Sequence, residues 1–197
     1  LFTRVLPESA TPDVQFHFGT LSADLAGAKP HPFPGFTFSV CQLRPTSRGH
    51  VRIKSADPLA APAMQPNYLT TELDQRCAVA AVRYARRLAD TAPVRAYVAE
   101  EVRPGAALDS ANDHDVLEFC RDYGATIFHP SGTCRMGGDD DASAIVDSRL
   151  HVRGIDGLRV VDCSIMPTLT SGNTNAPVVM IAEKASDMIL ADAAAQR

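Results

Sequence analysis

Hydrophobic and polar residues alternate in two stretches before residue 55. Residues 36–43 combine aromatic and β-branched side chains, and residues 50–54 alternate strictly, so both stretches predict β-strands. Residues 44–49 between them contain a proline and a glycine, which is typical of a turn. We therefore predict an antiparallel pair of strands, with Val51 and Ile53 on its covered face.

Two amphipathic helices are predicted in the middle of the chain. Thr71 is a suitable N-cap, and the acidic Asp74 follows within the first turn. A second helix should span Asp113 to about Tyr123 and end at Gly124. The first helix has an apolar stripe at helical spacing, formed by Leu73, Cys77, Ala80, Tyr84 and Leu88.

The pattern changes after residue 125. Leu158–Asp162 is mostly apolar without alternation, which predicts a parallel-type strand buried on both faces. A long apolar helix should then begin close to Pro177, with Thr174 or Asn175 as its N-cap.

These elements predict an α+β chain in two parts. Residues 1–125 should form an antiparallel sheet with flanking helices. Residues 126–197 should carry functional loops and a strand–helix segment that contributes to another, α/β sheet. Because the sequence lacks an initiator Met and a signal-peptide layout at its start, we expect a piece of a longer chain.

Composition excludes several classes of function. The 197 residues are 45% hydrophobic and carry a net charge of −4, with no basic stripe for nucleic acid. No apolar run is long enough to predict a membrane span. The five cysteines form no CxxC pair and are odd in number, which argues against a disulfide framework or a metal site. Reduced thiols suit a cytoplasmic protein, which is our expectation for localisation.

His129 is the first candidate for chemistry. It precedes Pro130 and lies close to Gly132, so a loop rather than a helix interior should hold it. An imidazole in a cleft can exchange protons near neutral pH. The alternative is a hydrogen-bonded histidine in the core, and the residues alone leave both interpretations open.

Asn173 is the second candidate. Gly172 allows a tight bend before it, and its amide can donate to an oxygen that gains negative charge. The alternative is a helix-capping asparagine, a role that Asn175 fits better. The N–H groups at the start of the following helix could stabilise an anion, although an ordinary buried helix would look the same in sequence.

Asp162 lies at the end of the predicted apolar strand. Ligands of open α/β sheets bind outside such strand ends, so this carboxylate could hold a sugar hydroxyl or cap a loop. Cys134 and Cys163 have no neighbouring base in an obvious motif, and we interpret both as packing residues.

Taken together, these motifs resemble the C-terminal part of the glucose–methanol–choline (GMC) oxidoreductase family. The choline dehydrogenase-like branch is the most similar, since it also carries Asn at the position of Asn173. The resemblance covers most of the chain and is most specific in four segments: 129–137, 146–154, 158–167 and 172–184. Residues 45–51 also resemble the hairpin of the family's substrate domain, which implies that residues 1–125 are the substrate-binding domain.

The resemblance implies an FAD-dependent oxidation of a small-molecule alcohol. His129 matches the catalytic base of the family, and Asn173 matches the second member of the catalytic pair. The base would take the hydroxyl proton while hydride passes to the flavin N5. Two alternatives are a flavin-containing hydroxynitrile lyase of the same fold and a non-catalytic binding module.

The resemblance also implies cofactor contacts. Asp162 and Cys163 match positions beside the FAD ribityl chain and pyrophosphate, and Cys163 stands where a small alanine is common in the family. The segment whose backbone lies against the flavin ring is matched by Thr174, Asn175 and Pro177. The sequence has no GxGxxG segment for the ADP half of FAD. We therefore expect that this chain alone is inactive, does not retain FAD, and needs the N-terminal FAD-binding portion as its partner.

Overall fold

The computed structural model describes residues 1–25 and 27–195. They form two compact units, the first from residues 1–49 and 66–127, and the second from residues 50–65 and from 128 onward. The boundary at residue 125 stays a prediction, because compactness does not show that either part folds by itself. No helix among the described residues is long and apolar enough to cross a bilayer.

A three-stranded antiparallel sheet organises the first unit. Its strands β1 (Phe2–Thr3), β2 (Val14–Gly19) and β3 (Thr37–Gln42) lie in the order β1-β2-β3. One face of this sheet contributes to a core cluster whose buried members are Leu6, Val14, Phe16, Cys77 and Ala81. Burial raises the pKa of the Cys77 thiol to about 12, as expected for a packing residue.

The sequence predicts the two longer helices of the first unit and misses the short one between them. Helix α1 (Glu72–Ala89) follows Thr71, whose side chain accepts a hydrogen bond from the Asp74 N–H. After the short helix α2 (Ala92–Arg95), helix α3 (Asp113–Tyr123) ends at Gly124. Helices α1 and α3 pack through a small core of Val79, Val82 and Val116. Local caps therefore determine the ends of α1 and α3. The apolar stripe predicted for α1 is only partly right, because Cys77 is buried but Leu73 is 37% exposed and the carboxylate of Asp74 is buried.

The predicted strand pairing is wrong. Strand β3 pairs with β2, whereas β4 (His50–Arg52) pairs with β5 (Ala63–Gln65) in a hairpin of the second unit. Val51 is 51% exposed and Ile53 is 90% exposed, so neither lies on a covered face. The intervening loop explains the difference. Its main-chain N–H groups at Thr46 and Ser47 donate to the Asp74 carboxylate, so the loop runs to the start of α1 and does not turn back onto β3.

Helix α4 (Asn175–Ala195) forms the second unit's core with loops and a short 3-10 helix, Cys163–Ile165. Its start agrees with the prediction, because Asn175 is the first helical residue and Pro177 lies in the first turn. The buried core consists of Val146, Leu150, Ile165, Met166, Ile181 and Ala185.

The predicted strand at Leu158–Asp162 is absent. The segment makes a single antiparallel bridge, from Arg159 to His151, and Leu158 is 46% exposed. A parallel strand needs neighbouring strands along its length, and the described residues supply none here. The α+β class is confirmed with small antiparallel sheets and helices, whereas the strand half of the predicted C-terminal strand–helix segment is not formed.

Candidate active site

The loop that carries His129 is anchored along its main chain to the 3-10 helix. Three N–H···O=C bonds of 2.8–3.3 Å make this connection, from Gly132, Cys134 and Met136 to the carbonyls of Cys163, Ser164 and Ile165 respectively. The donors are every second residue of the loop and the acceptors are consecutive residues of the 3-10 helix, so the loop is held at three points along its length. His129 therefore projects from a fixed backbone rather than from a free loop.

Two residues close to His129, one directly before it and one three positions after it, have left-handed backbone conformations. Phe128 has φ +62°, which is uncommon for a bulky side chain, and Gly132 has φ +84°. A Cβ atom on Gly132 would lie 3.2 Å from the Met166 carbonyl oxygen. Glycine is thus required at residue 132 for both its conformation and its close approach.

The structure brings His129 and Asn173 together, although they are 44 positions apart. The imidazole Nε2 of His129 lies 3.4 Å from the amide Nδ2 of Asn173. The imidazole Nδ1 lies 2.8 Å from the Thr174 hydroxyl. The His129 ring is half-buried, Asn173 is exposed, and Thr174 is buried. One edge of the ring is therefore held by a buried group, and the other meets an exposed amide.

The N-terminal end of α4 lies directly after this pair. The Val178 N–H donates to the Thr174 carbonyl at 2.9 Å, which is the first bond of the helix. Asn175 and Ala176 are exposed, and their N–H groups precede that bond, whereas Pro177 has no N–H. This end of the helix carries partial positive charge, so it favours a negatively charged group beside His129 and Asn173.

Asp162 and Cys163 belong to the segment that anchors the His129 loop. The exposed Asp162 carboxylate accepts the Ser164 N–H at 2.7 Å and so caps the 3-10 helix. This is the loop-capping alternative that the sequence left open. Cys163 is half-buried against the core of the second unit, as expected for packing.

Sequence reasoning gave Thr174 a main-chain contact and a possible N-cap role, and it missed the contact of the Thr174 side chain with His129. The available signal was a hydroxyl residue directly after Asn173, at the N-cap of a long helix. Its contact with His129 depends on how two distant loops meet, so neither loop alone could reveal it.

A protein-family model matches the greater part of this chain. The model for the C-terminal domain of the GMC oxidoreductases matches residues 45–182. The chain belongs to the GMC oxidoreductase family. This match confirms the resemblance seen in the sequence. Members of this family depend on FAD and act on CH–OH donors.

Curated relatives are about three times as long as this chain. It is 40% identical over 189 residues to the alcohol dehydrogenase (acceptor) of Pseudomonas putida, covering 96% of this chain and 34% of that protein. It is 42% identical over 188 residues to the oxygen-dependent choline dehydrogenase of Burkholderia thailandensis, covering 95% and 33%. The chain thus spans about a third of the length of these relatives.

Solved structures share the fold. Pyridoxine 4-oxidase from Mesorbium loti superimposes with a TM-score of 0.82 at 29% identity, over 94% of this chain and 36% of that one. Formate oxidase of Aspergillus oryzae, solved in a study of FAD modification, gives a TM-score of 0.81 at 26% identity, over 93% and 32%. The α+β arrangement is therefore that of the C-terminal part of these oxidases.

The residues present fit one end of FAD. The exposed first-turn N–H groups of α4 and the adjacent amide of Asn173 suit a polar ring edge that gains negative charge. The sequence has no glycine-rich turn of the kind that cradles a dinucleotide pyrophosphate. The fit thus extends to the flavin-ring end and not to the ADP half.

Proposed function

We propose that this chain is the C-terminal part of an FAD-dependent alcohol dehydrogenase or oxidase. The observation that carries the proposal is the 3.4 Å approach of the Asn173 amide to Nε2 of His129. A base and a hydrogen-bond donor are thereby directed at one place, which is the arrangement that deprotonation of a hydroxyl needs. The substrate class is a primary or secondary alcohol.

In the reaction, Nε2 of His129 accepts the hydroxyl proton. The Asn173 amide donates to the same oxygen and stabilises its alkoxide character as the proton leaves. FAD, when bound, supplies the acceptor for the hydride that leaves the adjacent carbon. The products are the carbonyl compound, a proton on His129, and the reduced cofactor, so that charge and electrons balance.

The residues proposed to hold the cofactor surround this pair. The N–H groups at the start of α4 favour negative charge on the bound ring. The carboxylate of Asp162 has a second oxygen beyond the one that caps the 3-10 helix, and this oxygen is proposed to face the ribityl chain. The remaining proposed contacts come from Cys163, Thr174, Asn175 and Pro177.

Tight FAD binding requires the N-terminal portion of such an enzyme as a partner. The purified chain should show no stoichiometric flavin absorbance. Mixed with the FAD-binding portion, it should support bleaching of the flavin by an alcohol under anaerobic conditions. Stoichiometric flavin in the chain alone would contradict the partner requirement.

The catalytic assignment is tested in the enzyme that contains this chain. Replacing His129 with Ala should slow flavin reduction by alcohol by roughly a hundredfold or more, since the general base is lost. His114→Ala is the matched control, because His114 is an exposed residue of α3. A loss for H129A of less than about tenfold would remove His129 from the role of base.

A further inference from the structure

We infer that Thr174 is a positioning residue that stabilises the Nδ1–H tautomer of His129 and so keeps Nε2 unprotonated and able to act as the base. This inference deepens the proposed function and rests on it. It concerns the Thr174 side chain, whose role is distinct from the cofactor contact proposed for its backbone.

The Thr174 hydroxyl is in an unusual position for an N-cap residue. Such a hydroxyl commonly accepts a hydrogen bond from an N–H in the first turn of its own helix. Among the described residues, the hydrogen bond found for Thr174 Oγ1 goes instead to Nδ1 of His129, at 2.8 Å. With 6% of its surface exposed, Thr174 is shielded from water that would compete for this bond.

The contact on the opposite edge of the ring identifies the nitrogen that carries the proton while Thr174 is in place. The Asn173 Nδ2 is an amide NH₂ group, which donates hydrogen bonds and does not accept them. It faces Nε2 of His129, so Nε2 must present its lone pair. The proton of the neutral imidazole therefore lies on Nδ1 and is donated to the Thr174 hydroxyl.

The opposite tautomer would disturb both contacts. Nε2–H would point at the amide N–H of Asn173, placing two donors against each other. The Nδ1–H···Oγ1 bond, in contrast, is compatible with both the neutral ring and the imidazolium that forms after proton uptake, because Nδ1 stays protonated in both. Thr174 therefore holds the ring while only Nε2 changes its protonation.

The tautomer can be measured directly on this chain without cofactor. In ¹⁵N-histidine NMR of the neutral imidazole of His129, we expect Nδ1 to have the shift of a protonated nitrogen and Nε2 that of an unprotonated one. Thr174→Val removes the hydroxyl at nearly constant shape and should move the proton toward Nε2. Thr174→Ser should retain the Nδ1–H form. A wild-type ring protonated mainly on Nε2, or an unchanged tautomer in T174V, would overturn the inference.

Kinetics of the full-length enzyme separate positioning from mere structural support. T174V should slow flavin reduction about tenfold or more, which is the low end of the effect of removing the hydrogen-bond partner that orients a metal-bound histidine. KM should change little, and T174S should restore most of the rate. Thr168→Val, at an exposed residue, is the control for the same chemical change. Equal losses in T174V and T174S, or an unchanged rate in T174V, would contradict the inference.

The two proposals can fail separately. If H129A leaves the rate intact while T174V still shifts the tautomer, the role of His129 as base fails and the hydrogen-bond assignment stands. If H129A abolishes activity while T174V changes neither tautomer nor rate, the catalytic proposal stands and the positioning role is overturned.

Discussion

The carboxylate of Asp74 accepts a hydrogen bond of 2.8 Å from the main-chain N–H of Thr46, 28 positions earlier in the chain. The Thr46 hydroxyl and the Ser47 N–H donate to the same carboxylate, at 3.0 and 2.8 Å. Asp74 is 1% exposed, so these bonds replace water completely. One residue in the first turn of α1 thus fixes the loop that separates β3 from β4.

Replacing Asp74 with Asn should destabilise the protein by about 2 kcal/mol or more, since hydrogen bonds to charged groups are each worth about 1.5–3 kcal/mol. The amide would also turn an NH₂ group toward one of the donors. Urea unfolding measures the effect. Asp156→Asn, at an exposed residue, should change the free energy of unfolding by less than about 0.5 kcal/mol. Equal effects of the two substitutions would refute the role of Asp74.

The same carboxylate should make stability depend on pH. Burial by itself raises the pKa of Asp74, but the hydrogen bonds from Ser47 and Thr46 outweigh it and hold the pKa below its ordinary value. The ionised form therefore binds these donors better than the protonated form does. Its contribution is complete above the unfolded-state pKa of about 3.9 and is lost as the pH falls through the lower folded-state pKa.

We therefore expect the unfolding free energy of the wild type to fall more steeply below about pH 4 than that of D74N. Denaturant titrations at a series of pH values give the two curves. Parallel curves through this acid range would show that protonation of Asp74 is not linked to unfolding.

Gly132 provides a test of the loop that holds His129. Gly132→Ala should cost about 1–2 kcal/mol for the left-handed conformation alone. It should cost more in total, because the new methyl group meets the Met166 carbonyl at 3.2 Å. Gly154→Ala is the matched control, since Gly154 has φ +78° with no atom within 4 Å of an added Cβ. Thermal unfolding of both variants gives the cost of the contact with the Met166 carbonyl as the difference between their losses of stability. Equal losses of stability would show that this contact contributes nothing.

The helices could be predicted from sequence because their signals are local. Thr71 and Gly124 define helix ends within a few residues, whereas apolar periodicity alone misses the buried Asp74 on α1. The strand pairing could not be predicted, because β3 and β4 each find a partner that periodicity does not specify. The hydrogen bonds from the loop to Asp74, rather than the pattern of either strand, determine the path of the chain between β3 and β4.

The candidate site, too, could be predicted only in part from the sequence. The convergence of His129 and Asn173 was expected from their loop motifs and from the family resemblance, and the structure places the two side chains in contact. The side-chain role of Thr174 could not be expected, because a hydroxyl at an N-cap has a satisfactory local partner in its own helix. The expected strand at Leu158–Asp162 failed because an apolar run specifies burial but not the neighbour that buries it.

One carboxylate, that of Asp192, connects the last turns of α4 to residues earlier in the chain. Asp192 pairs with Arg149 at 2.5 Å and also with Arg159, and His151 lies 3.7 Å from it. Since the Asp192 side chain is 32% exposed, we expect Asp192→Asn to cost about 1 kcal/mol, the upper end for a surface ion pair. The loss should shrink as salt is added, because salt screens partly exposed charges.

Hydrogen exchange of the C-terminal half of α4 should detect this loss as faster exchange in D192N at low salt. Asp187→Asn is the control, because Asp187 is an exposed acidic residue of the same helix for which the described residues show no ion pair. If D187N accelerates exchange as much as D192N does, a general change in helix charge accounts for the effect. Faster exchange confined to D192N would instead assign the effect to the ion pairs with Arg149 and Arg159, which connect the end of α4 to residues 149–159.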